Sequence, residues 1–327
     1  MGPVLEREAV GGIVSYGGRP LLRTDVARPF AWLVMRDRFD HFLLGRAVEA
    51  GAHLLDGLPV TAVEEQDDRV VAHTAQGRFA ARWVVGADGV NSRIARAIGL
   101  SPCQEVGLAL EAEVTVPPSA LTAQGDYATF DFGALPHGYG WIFPKREHLS
   151  VGVFHARPGQ IAGLKGALYA FIHSQPVLQA HRQIRLHGHR IPLGGANGAL
   201  HTGRVVLAGD AAGLADPWLG EGVYYAIVSA RLAAQAIAAA LDSGPSALSA
   251  YTARIHTMIV RQLRQARHFA AIVYRAPYLG SLLLSKSPLM QRAVFGAIRG
   301  DLTFGQLNRA LALGLPRILT QALGGGR

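Results

Sequence analysis

Apolar residues recur at two different spacings in the first hundred positions, and these spacings predict one helix followed by strands. From Arg36 to Gly51 the apolar positions repeat every three or four residues, as in an amphipathic helix, and Gly51 is placed to end it. Three Val-rich runs bounded by polar turns are typical of strands: residues 60–65, 68–74 and 77–85. The last run leads into Gly-Ala-Asp-Gly, where a buried strand would emerge into a loop.

The pattern changes after residue 100. Apolar and polar residues alternate through most of 101–195, which predicts a mostly antiparallel sheet with one helix near 164–174. A short apolar strand then leads to a glycine-bearing turn, and an Ala-rich helix is predicted over about 223–241. The rest of the chain is predicted to be helical, so the fold class is α/β, and α+β overall.

These patterns divide the 327 residues into three regions, and a chain of this length can form two domains with a sizeable core. Residues 1–100 and 196–242 are predicted to form a Rossmann-like three-layer domain. An antiparallel-sheet domain, 101–195, is inserted in it, and 243–327 form a helical C-terminal region.

Composition places the chain among folded proteins, because charged residues are only 17% and the mean hydropathy is +0.20. The single cysteine, Cys103, excludes an internal disulfide and a multi-cysteine metal site. His187 and His189 alternate as metal ligands can, but an ordinary strand explains them better, and no metal is predicted. The sequence shows no secretory pattern and no uninterrupted apolar run of roughly 18 residues, so a cytoplasmic location is expected.

Positive charge is concentrated at the C-terminal end. The formal net charge is +9, and residues 251–327 contain eleven Lys and Arg against one acidic residue, Asp301. Such a block suggests attraction to an anionic membrane surface or to nucleic acid, although a solvated helical face has the same pattern. Because the basic positions mostly oppose an apolar face and no nucleic-acid recognition module is present, we expect peripheral contact with an anionic membrane and no nucleic-acid partner.

Residues 204–230 contain the segment most indicative of chemistry. A strand brings Gly209, Asp210 and Ala211 to its carboxyl end, where open α/β sheets bind ligands. Asp210 can accept hydrogen bonds from cofactor hydroxyls there. Pro217 turns the chain, and Gly220-Glu221-Gly222 lets the backbone pass close to a ligand, beside the positive end of the following helix. The alternative is a strand–turn–helix whose glycines merely relieve crowding.

The order Gly-Asp-Ala, Pro217, Gly-x-Gly, helix resembles the glutathione-reductase-type FAD oxidoreductases, which include the aromatic hydroxylases. Within that group the segment from Asp216 to Ala230 is similar to the geranylgeranyl reductase family, whereas the hydroxylases usually place Asn where Tyr224 stands. The resemblance implies that FAD contacts the residues of this segment: Gly209, Asp210, Ala211, Pro217, Gly220, Glu221 and Gly222.

Two further segments resemble the same group. Residues 83–100 are similar to its DG motif, which implies that Asp88 and Gly89 lie beside the FAD pyrophosphate and ribose. Residues 35–52 resemble its R-x-x-F-D helix, which implies that Arg36 reaches the FAD. No strand–GxGxxG–helix precedes these segments, and 11–18 have neither the spacing nor a following helix. We therefore expect the FAD-binding domain to be N-terminally incomplete.

Tyr139, Trp141 and Phe143 alternate in a strand, so their rings share one face that is either core or the wall of an apolar pocket. The segment resembles the YxWxFP signature of geranylgeranyl reductases, which implies that these rings, Pro144 and Gly152 line a prenyl channel. The family's second glycine is replaced here by Phe154.

The resemblance implies an FAD-dependent oxidoreductase that reduces carbon–carbon double bonds of a hydrophobic prenyl lipid by hydride transfer, with NADPH or a ferredoxin as electron donor. Its catalytic residues, including the proton donor, are not identified from the sequence. Two alternatives stay open. One is an FAD-dependent monooxygenase of an aromatic or polyketide substrate, and the other is a non-catalytic lipid-binding remnant.

Overall fold

The computed structural model describes residues 2–101, 105–157, 163–194 and 198–324, and Cys103 lies outside them. The chain divides into two compact units. Unit 1 comprises Met1–Leu54, Leu108–His189 and Phe269–Arg327, and unit 2 comprises Leu55–Gly107 and Arg190–His268. This grouping differs from the predicted domains, because the first 54 residues and the last helices belong with the large sheet.

The strands and helices of the described residues are as follows. The strands are β1 (Leu5–Ala9), β2 (Gly11–Tyr16), β3 (Arg19–Asp25), β4 (Ala31–Val34), β5 (Val60–Glu65), β6 (Val70–Thr74), β7 (Gly77–Ala81), β8 (Val84–Gly86), β9 (Glu105–Thr115), β10 (Tyr127–Asp131), β11 (Gly138–Pro144), β12 (Leu149–His155), β13 (Gln183–Leu193) and β14 (Val205–Leu207). The helices are α1 (Arg36–Glu49), α2 (Arg93–Ala97), α3 (Pro118–Gln124), α4 (Leu164–Ser174), α5 (Val223–Ser243), α6 (Ser249–Ile255), α7 (Arg261–Arg275), α8 (Pro277–Lys286), α9 (Pro288–Arg299) and α10 (Phe304–Gly324).

A seven-stranded sheet organises unit 1, with the order β13-β9-β12-β11-β10-β2-β3. The pairs from β9 to β10 and the β2–β3 hairpin are antiparallel, whereas β2 and β10 are parallel. The sheet is therefore mixed. Because β2 and β3 belong to it, the first residues of the chain group with the sheet domain rather than with the predicted FAD-binding domain. β2 contains the glycines at 11 and 12, and a Cβ at Gly12 would lie 2.4 Å from Cζ of Phe295. These glycines thus admit neighbouring rings rather than a phosphate.

The two faces of this sheet carry different residues. One face packs against α4, and its core members include Ala112, Ile142, Val151, Leu168 and Phe171. The opposite face carries the alternate positions, among them the aromatic residues of β11. The predicted helix near 164–174 is present as α4.

Unit 2 contains a parallel pair, β14–β8, and a three-stranded antiparallel sheet, β5-β6-β7. The predicted strand 77–85 divides into β7 and β8, because β8 leaves the antiparallel sheet to pair with β14. Val205, Val206 and Leu207 of β14 are fully buried and pack with the inner face of α5.

Helix α5 is long and apolar enough to cross a membrane by length and composition. In unit 2 its face formed by Tyr225, Leu232, Ala233 and Ala236 belongs to the hydrophobic core. One face of the helix is therefore part of the hydrophobic core of unit 2.

Candidate functional site

The two glycine–aspartate segments end two neighbouring strands of unit 2. β8 and β14 pair in parallel with Gly86 opposite Leu207, and the Ala208 amide donates to the Gly86 carbonyl at 2.9 Å. The turns that carry Asp88 and Asp210 therefore leave the same edge of this sheet, at the carboxyl ends of its strands. Ligands of open α/β sheets bind at this edge.

Two glycines shape the backbone on either side of the Asp210 carboxylate, and Gly222 leaves room beside it. Gly209 has a φ of 58°, in the left-handed region that favours glycine, and a Cβ there would lie 3.1 Å from the Cβ of Ala226. A Cβ at Gly222 would lie 3.0 Å from Asp210 Oδ1. The half-buried Asp210 carboxylate thus lies beside backbone without side chains, where cofactor hydroxyls can reach it, and the next residue, Ala211, is buried.

Two residues missed by sequence reasoning hold this turn in place. The buried Ser229 hydroxyl of α5 accepts from the Gly209 amide at 2.9 Å and donates to the Ala226 carbonyl at 3.1 Å. The Tyr251 hydroxyl of α6 donates to the Leu207 carbonyl at 2.5 Å. Neither contact has a local signal, since the partners lie about 20 and 44 positions apart in the chain.

The Asp88 carboxylate accepts hydrogen bonds from the residues that follow it. Its Oδ1 accepts from the Ser92 hydroxyl at 2.5 Å, and its Oδ2 accepts from the amides of Arg93 and Ile94 at 2.7 and 3.2 Å. Ser92 in turn caps α2, and Gly89 turns the chain with a φ of 79°. Asp88 therefore shapes the DG turn, and its contact with the FAD pyrophosphate and ribose stays a prediction.

Asp216 is a buried carboxyl that the sequence analysis did not single out. Its Oδ1 accepts from the Trp218 amide at 2.7 Å, and it is 4% exposed. Its own amide donates to the Glu221 carbonyl at 2.8 Å, and its carbonyl accepts from the Gly220 amide at 2.9 Å. Two backbone hydrogen bonds of Asp216 thus close the turn that contains the buried Pro217.

Burial raises the pKa of Asp216 from 3.8 to about 7. The nearby Glu221 carboxylate also raises it, whereas the amides of Trp218 and Leu219 act in the opposite direction. The sequence signal was an Asp-Pro pair at the end of an apolar run, directly before Gly-x-Gly.

Helix α5 begins directly after this turn, with Gly222 as its N-cap. Its first amides and the positive end of its dipole favour negative charge. Glu221 supplies such a charge from within the chain, because its Oε1 accepts from the Tyr224 amide at 2.8 Å. Tyr224 is 62% exposed, and its ring packs edge-on against Tyr225 with centroids 5.3 Å apart.

Arg36 belongs to unit 1, where it begins α1. Its exposed guanidinium forms a two-bond pair with Asp40, with N–O distances of 2.9 and 3.1 Å. The predicted helix is present, and the role of Arg36 toward FAD stays a prediction.

The aromatic residues of β11 share one face of the unit 1 sheet, as alternation predicts. The ring centroids of Tyr139 and Trp141 lie 6.0 Å apart, and those of Trp141 and Phe143 lie 6.1 Å apart. Rings of β10, β12 and the residue after β10 join them. We call this set the aromatic wall: Phe130, Phe132, Tyr139, Trp141, Phe143 and Phe154. The buried Pro144 ends β11.

Gly152 lies opposite Trp141 in the β11–β12 register. A Cβ at Gly152 would lie 2.1 Å from Cζ2 of Trp141, so the indole occupies the space above the glycine. Phe154, where the family has a second glycine, is 1% exposed and lies 5.7 Å from the Tyr139 ring. Phe154 therefore fills space that a glycine would leave open.

Hydrogen bonds lead away from Trp141 along the same face. Its Nε1 donates to the Ser150 hydroxyl at 3.2 Å, and this hydroxyl donates to Glu111 Oε1 at 2.6 Å. Burial raises the pKa of Glu111, but hydrogen bonds from His189 and Ser150 outweigh it, so the pKa lies below its ordinary value. Lys145, the residue after Pro144, is buried as well, and burial lowers its pKa because it disfavours the charged ammonium.

The two histidines considered as metal ligands face different carboxylates. His189 Nε2 lies 3.7 Å from Glu111, and His187 Nε2 lies 3.8 Å from Glu113. Both residues lie in β13, as the ordinary-strand interpretation requires.

A cavity of about 520 Å³ lies on the other face of the unit 1 sheet. Its lining includes Ile13, Thr129, Ile142, Ala123, Gln124 and Val177. Since Ile142 and Trp141 point to opposite faces of β11, the aromatic wall does not line this cavity.

A family model described as an FAD binding domain matches residues 7–155 and 196–266. The chain belongs to the FAD-binding domain family. The matched ranges include both glycine–aspartate segments and all three strands of the aromatic wall. The open backbone around Asp210 fits this cofactor, and the predicted assignment to FAD is confirmed at the level of the family.

This FAD-binding chain is similar to proteins of several organisms. It is 31% identical over 283 residues to an uncharacterized protein of Methanosarcina barkeri, covering 86% of this chain and 72% of that protein. It is 32% identical over 231 residues to the chloroplastic geranylgeranyl diphosphate reductase of Oryza sativa subsp. japonica, covering 65% of this chain and 49% of that enzyme. The chain thus spans about half the length of this reductase.

A solved structure supports the fold class. The geranylgeranyl bacteriochlorophyll reductase-like protein of Thermoplasma acidophilum aligns with a TM-score of 0.77, covering 98% of this chain and 83% of that one. At 23% identity this likeness shows the fold. The predicted α/β class with a Rossmann-like FAD-binding fold and a helical C-terminus is confirmed.

Proposed function

We propose that this FAD-binding protein reduces carbon–carbon double bonds of a prenyl lipid of the geranylgeranyl type. The observation that carries the proposal is the aromatic wall, in which Trp141 lies over Gly152 on a single sheet face. The similarity to a geranylgeranyl diphosphate reductase supports the same substrate class. Bound FAD, when reduced by NADPH or a ferredoxin, supplies a hydride to an alkene carbon.

The residues of the chain would bind and orient the reactants. Asp210 would accept hydrogen bonds from hydroxyls of the cofactor, and the start of α5 would stabilise negative charge on it. Tyr139, Trp141 and Phe143 would contact the apolar chain and exclude water from it. The Ser150 hydroxyl keeps the Trp141 indole in one orientation.

An anaerobic assay tests this proposal. The purified chain is incubated with FAD and desalted, and retained flavin bands are recorded. It is then reduced with dithionite and mixed with geranylgeranyl diphosphate, and mass spectrometry should show two added hydrogens for each double bond reduced. In a parallel aerobic assay with NADPH, oxygen uptake with a hydroxylated product would instead support the monooxygenase. Lipid binding without retained flavin or turnover would support the non-catalytic remnant.

Phe154→Gly provides a sharper test of the aromatic wall. Removing this buried ring should open space beside Tyr139 and raise turnover of longer prenyl chains relative to shorter ones. Phe171→Leu is the control, because Phe171 is also buried but belongs to α4, which packs against the opposite face of the sheet. An equal change of selectivity in both variants would contradict a substrate role for the wall.

We also propose that the C-terminal helices contact an anionic membrane from the cytoplasmic side. Several large apolar side chains of unit 1 are exposed there: Ile272, Tyr278, Leu279, Leu313, Leu315 and Leu319. Exposed basic residues accompany them on the same helices, including Arg275, Arg309 and Arg317. Apolar insertion together with attraction to anionic lipid is typical of peripheral binding.

Vesicle flotation tests the membrane contact. The protein should float with phosphatidylglycerol vesicles at low salt and stay at the bottom with phosphatidylcholine vesicles, because the basic residues need anionic lipid. The double variant Leu313→Ser, Leu319→Ser should lose most of the flotation. Flotation that is equal with both lipids would contradict the electrostatic part of the proposal.

A further inference from the structure

The Asp216 carboxyl is the buried acidic group nearest in the chain to the Gly-x-Gly turn, and the proposed reaction does not use it. The Asp216 backbone forms hydrogen bonds with the backbone of Gly220 and of Glu221. These bonds hold the Asp216 carboxyl in a fixed position relative to the turn that precedes α5. Its Oδ1 accepts from the Trp218 amide at 2.7 Å. An oxygen held in this way keeps its place whether or not the group is charged.

Titratable and charged groups lie on several of the elements around Asp216, and among them the Glu221 carboxylate raises its pKa. Glu221, which lies just before the N-cap of α5, and Tyr225, in its first turn, both have acidic side chains, and Asp210 lies beside Gly222 on the preceding turn. Ala215, the residue before Asp216, forms a β-bridge with Leu193. The Leu193 carbonyl accepts a hydrogen bond from the Arg267 guanidinium. Arg267 also pairs with Glu105. The surroundings of Asp216 therefore favour its neutral form, and a further negative charge would favour it more.

We propose that the Asp216 carboxylate takes up a proton when FAD bound at this turn is reduced. The inference rests on FAD contacting Gly220–Gly222, as the resemblance implies, with its flavin ring at this turn, and is independent of the prenyl substrate. In the balanced step a donor such as dithionite supplies two electrons, and one proton goes to flavin N5. The ring keeps one negative charge, and a second proton passes from solvent to Asp216.

Repulsion between the negative charge on the reduced flavin and the charge of the buried Asp216 carboxylate is the driving force. Because proton uptake and reduction are linked, each favours the other. Reduction by two electrons would then take up two protons, one at flavin N5 and one at Asp216. A plot of the flavin midpoint potential against pH should therefore have twice the slope expected when only flavin N5 takes up a proton.

Potentials measured by dye equilibration between about pH 6 and pH 9 test this linkage. Above pH 7 the slope for the wild type should be twice that for Asp216→Asn, which keeps the Oδ1 acceptor but cannot ionise. Below pH 7 the two slopes should converge, since Asp216 then carries its proton in both states. Asp242→Asn, the same change at the exposed far end of α5, should follow the wild type.

Carboxyl carbon NMR of the flavin-free protein gives a second measurement. One aspartate signal, absent in Asp216→Asn, should titrate near neutral pH, and its midpoint should rise when reduced FAD is added. Equal slopes for wild type and Asp216→Asn would overturn this inference alone. A chain that retains no flavin would overturn FAD binding by the chain together with this inference, whatever the outcome of prenyl reduction.

Discussion

The aromatic wall of unit 1 and the glycine–aspartate turns of unit 2 are built by opposite means. In the wall, side chains shape one another, and Gly152 is required because the Trp141 ring occupies the space above it. In the turns, the backbone sets the shape, and Gly209 is required first because its φ is 58°. The comparison shows that the same residue type serves packing in one region and conformation in the other.

The largest expected effect concerns charge in the unit 2 turn. The folded pKa of Asp216, about 7, exceeds its ordinary 3.8, so between these values only the folded state holds the proton. Stability from this group is full below pH 4 and is lost as the pH rises through 7. At about 1.36 kcal/mol per pK unit, the loss is on the order of 4 kcal/mol.

Urea denaturation of the wild type and Asp216→Asn at several pH values measures this loss. The free energies of unfolding should be similar near pH 4 and should diverge toward pH 8, where the variant is more stable. Asp242→Asn should show no such divergence. A constant difference between wild type and Asp216→Asn across this range would refute the raised pKa.

The second prediction concerns the wall. Gly152→Ala should lower the free energy of unfolding by about 3 kcal/mol, because the new methyl group overlaps the buried Trp141 ring. Gly166→Ala in α4, where nothing lies within 4 Å, should instead raise it by about 0.5–1 kcal/mol. Urea midpoints and tryptophan fluorescence report both changes. Equal stability of the two variants would mean that the Trp141 ring can shift to accommodate the new methyl group at little cost in free energy.

The third prediction concerns the turn glycine. Gly209→Ala should cost about 2 kcal/mol, because an L-residue is disfavoured at a φ of 58° and its methyl group crowds Ala226 at 3.1 Å. Gly209→Asn should cost less, because Asn tolerates the left-handed region better. If Asn were the worse replacement, crowding rather than conformation would be the dominant requirement, as it is at Gly152.

The sequence predicted these two regions to different depths. Alternation in β11 correctly placed Tyr139, Trp141 and Phe143 on one face, because strand geometry is local. Motif order correctly placed Asp88 and Asp210 at strand ends. Motif order did not reveal the hydrogen bond from the Ser92 hydroxyl to Asp88 or the one from the Gly209 amide to the Ser229 hydroxyl. Those contacts depend on how turns and helices pack.

The domain boundary could not be read from the sequence for a related reason. β2 pairs in parallel with β10, more than a hundred residues later, and an apolar run gives no indication of its partner. The buried state of Asp216 was also inaccessible, because an Asp-Pro pair usually indicates an exposed turn.

The smallest expected effect separates structure from ligand binding at Asp88. Ser92→Ala removes the cap of α2 and one of three hydrogen bonds to the Asp88 carboxylate, and should cost about 1 kcal/mol of stability. The amides of Arg93 and Ile94 still hold Oδ2, so the carboxylate keeps its position, and FAD affinity should change less than twofold. Isothermal titration with FAD and urea denaturation measure the two quantities. Ser92→Thr, which keeps the hydroxyl, should restore the stability. A large loss of FAD affinity in Ser92→Ala without loss of stability would show that the hydroxyl serves the cofactor rather than the helix.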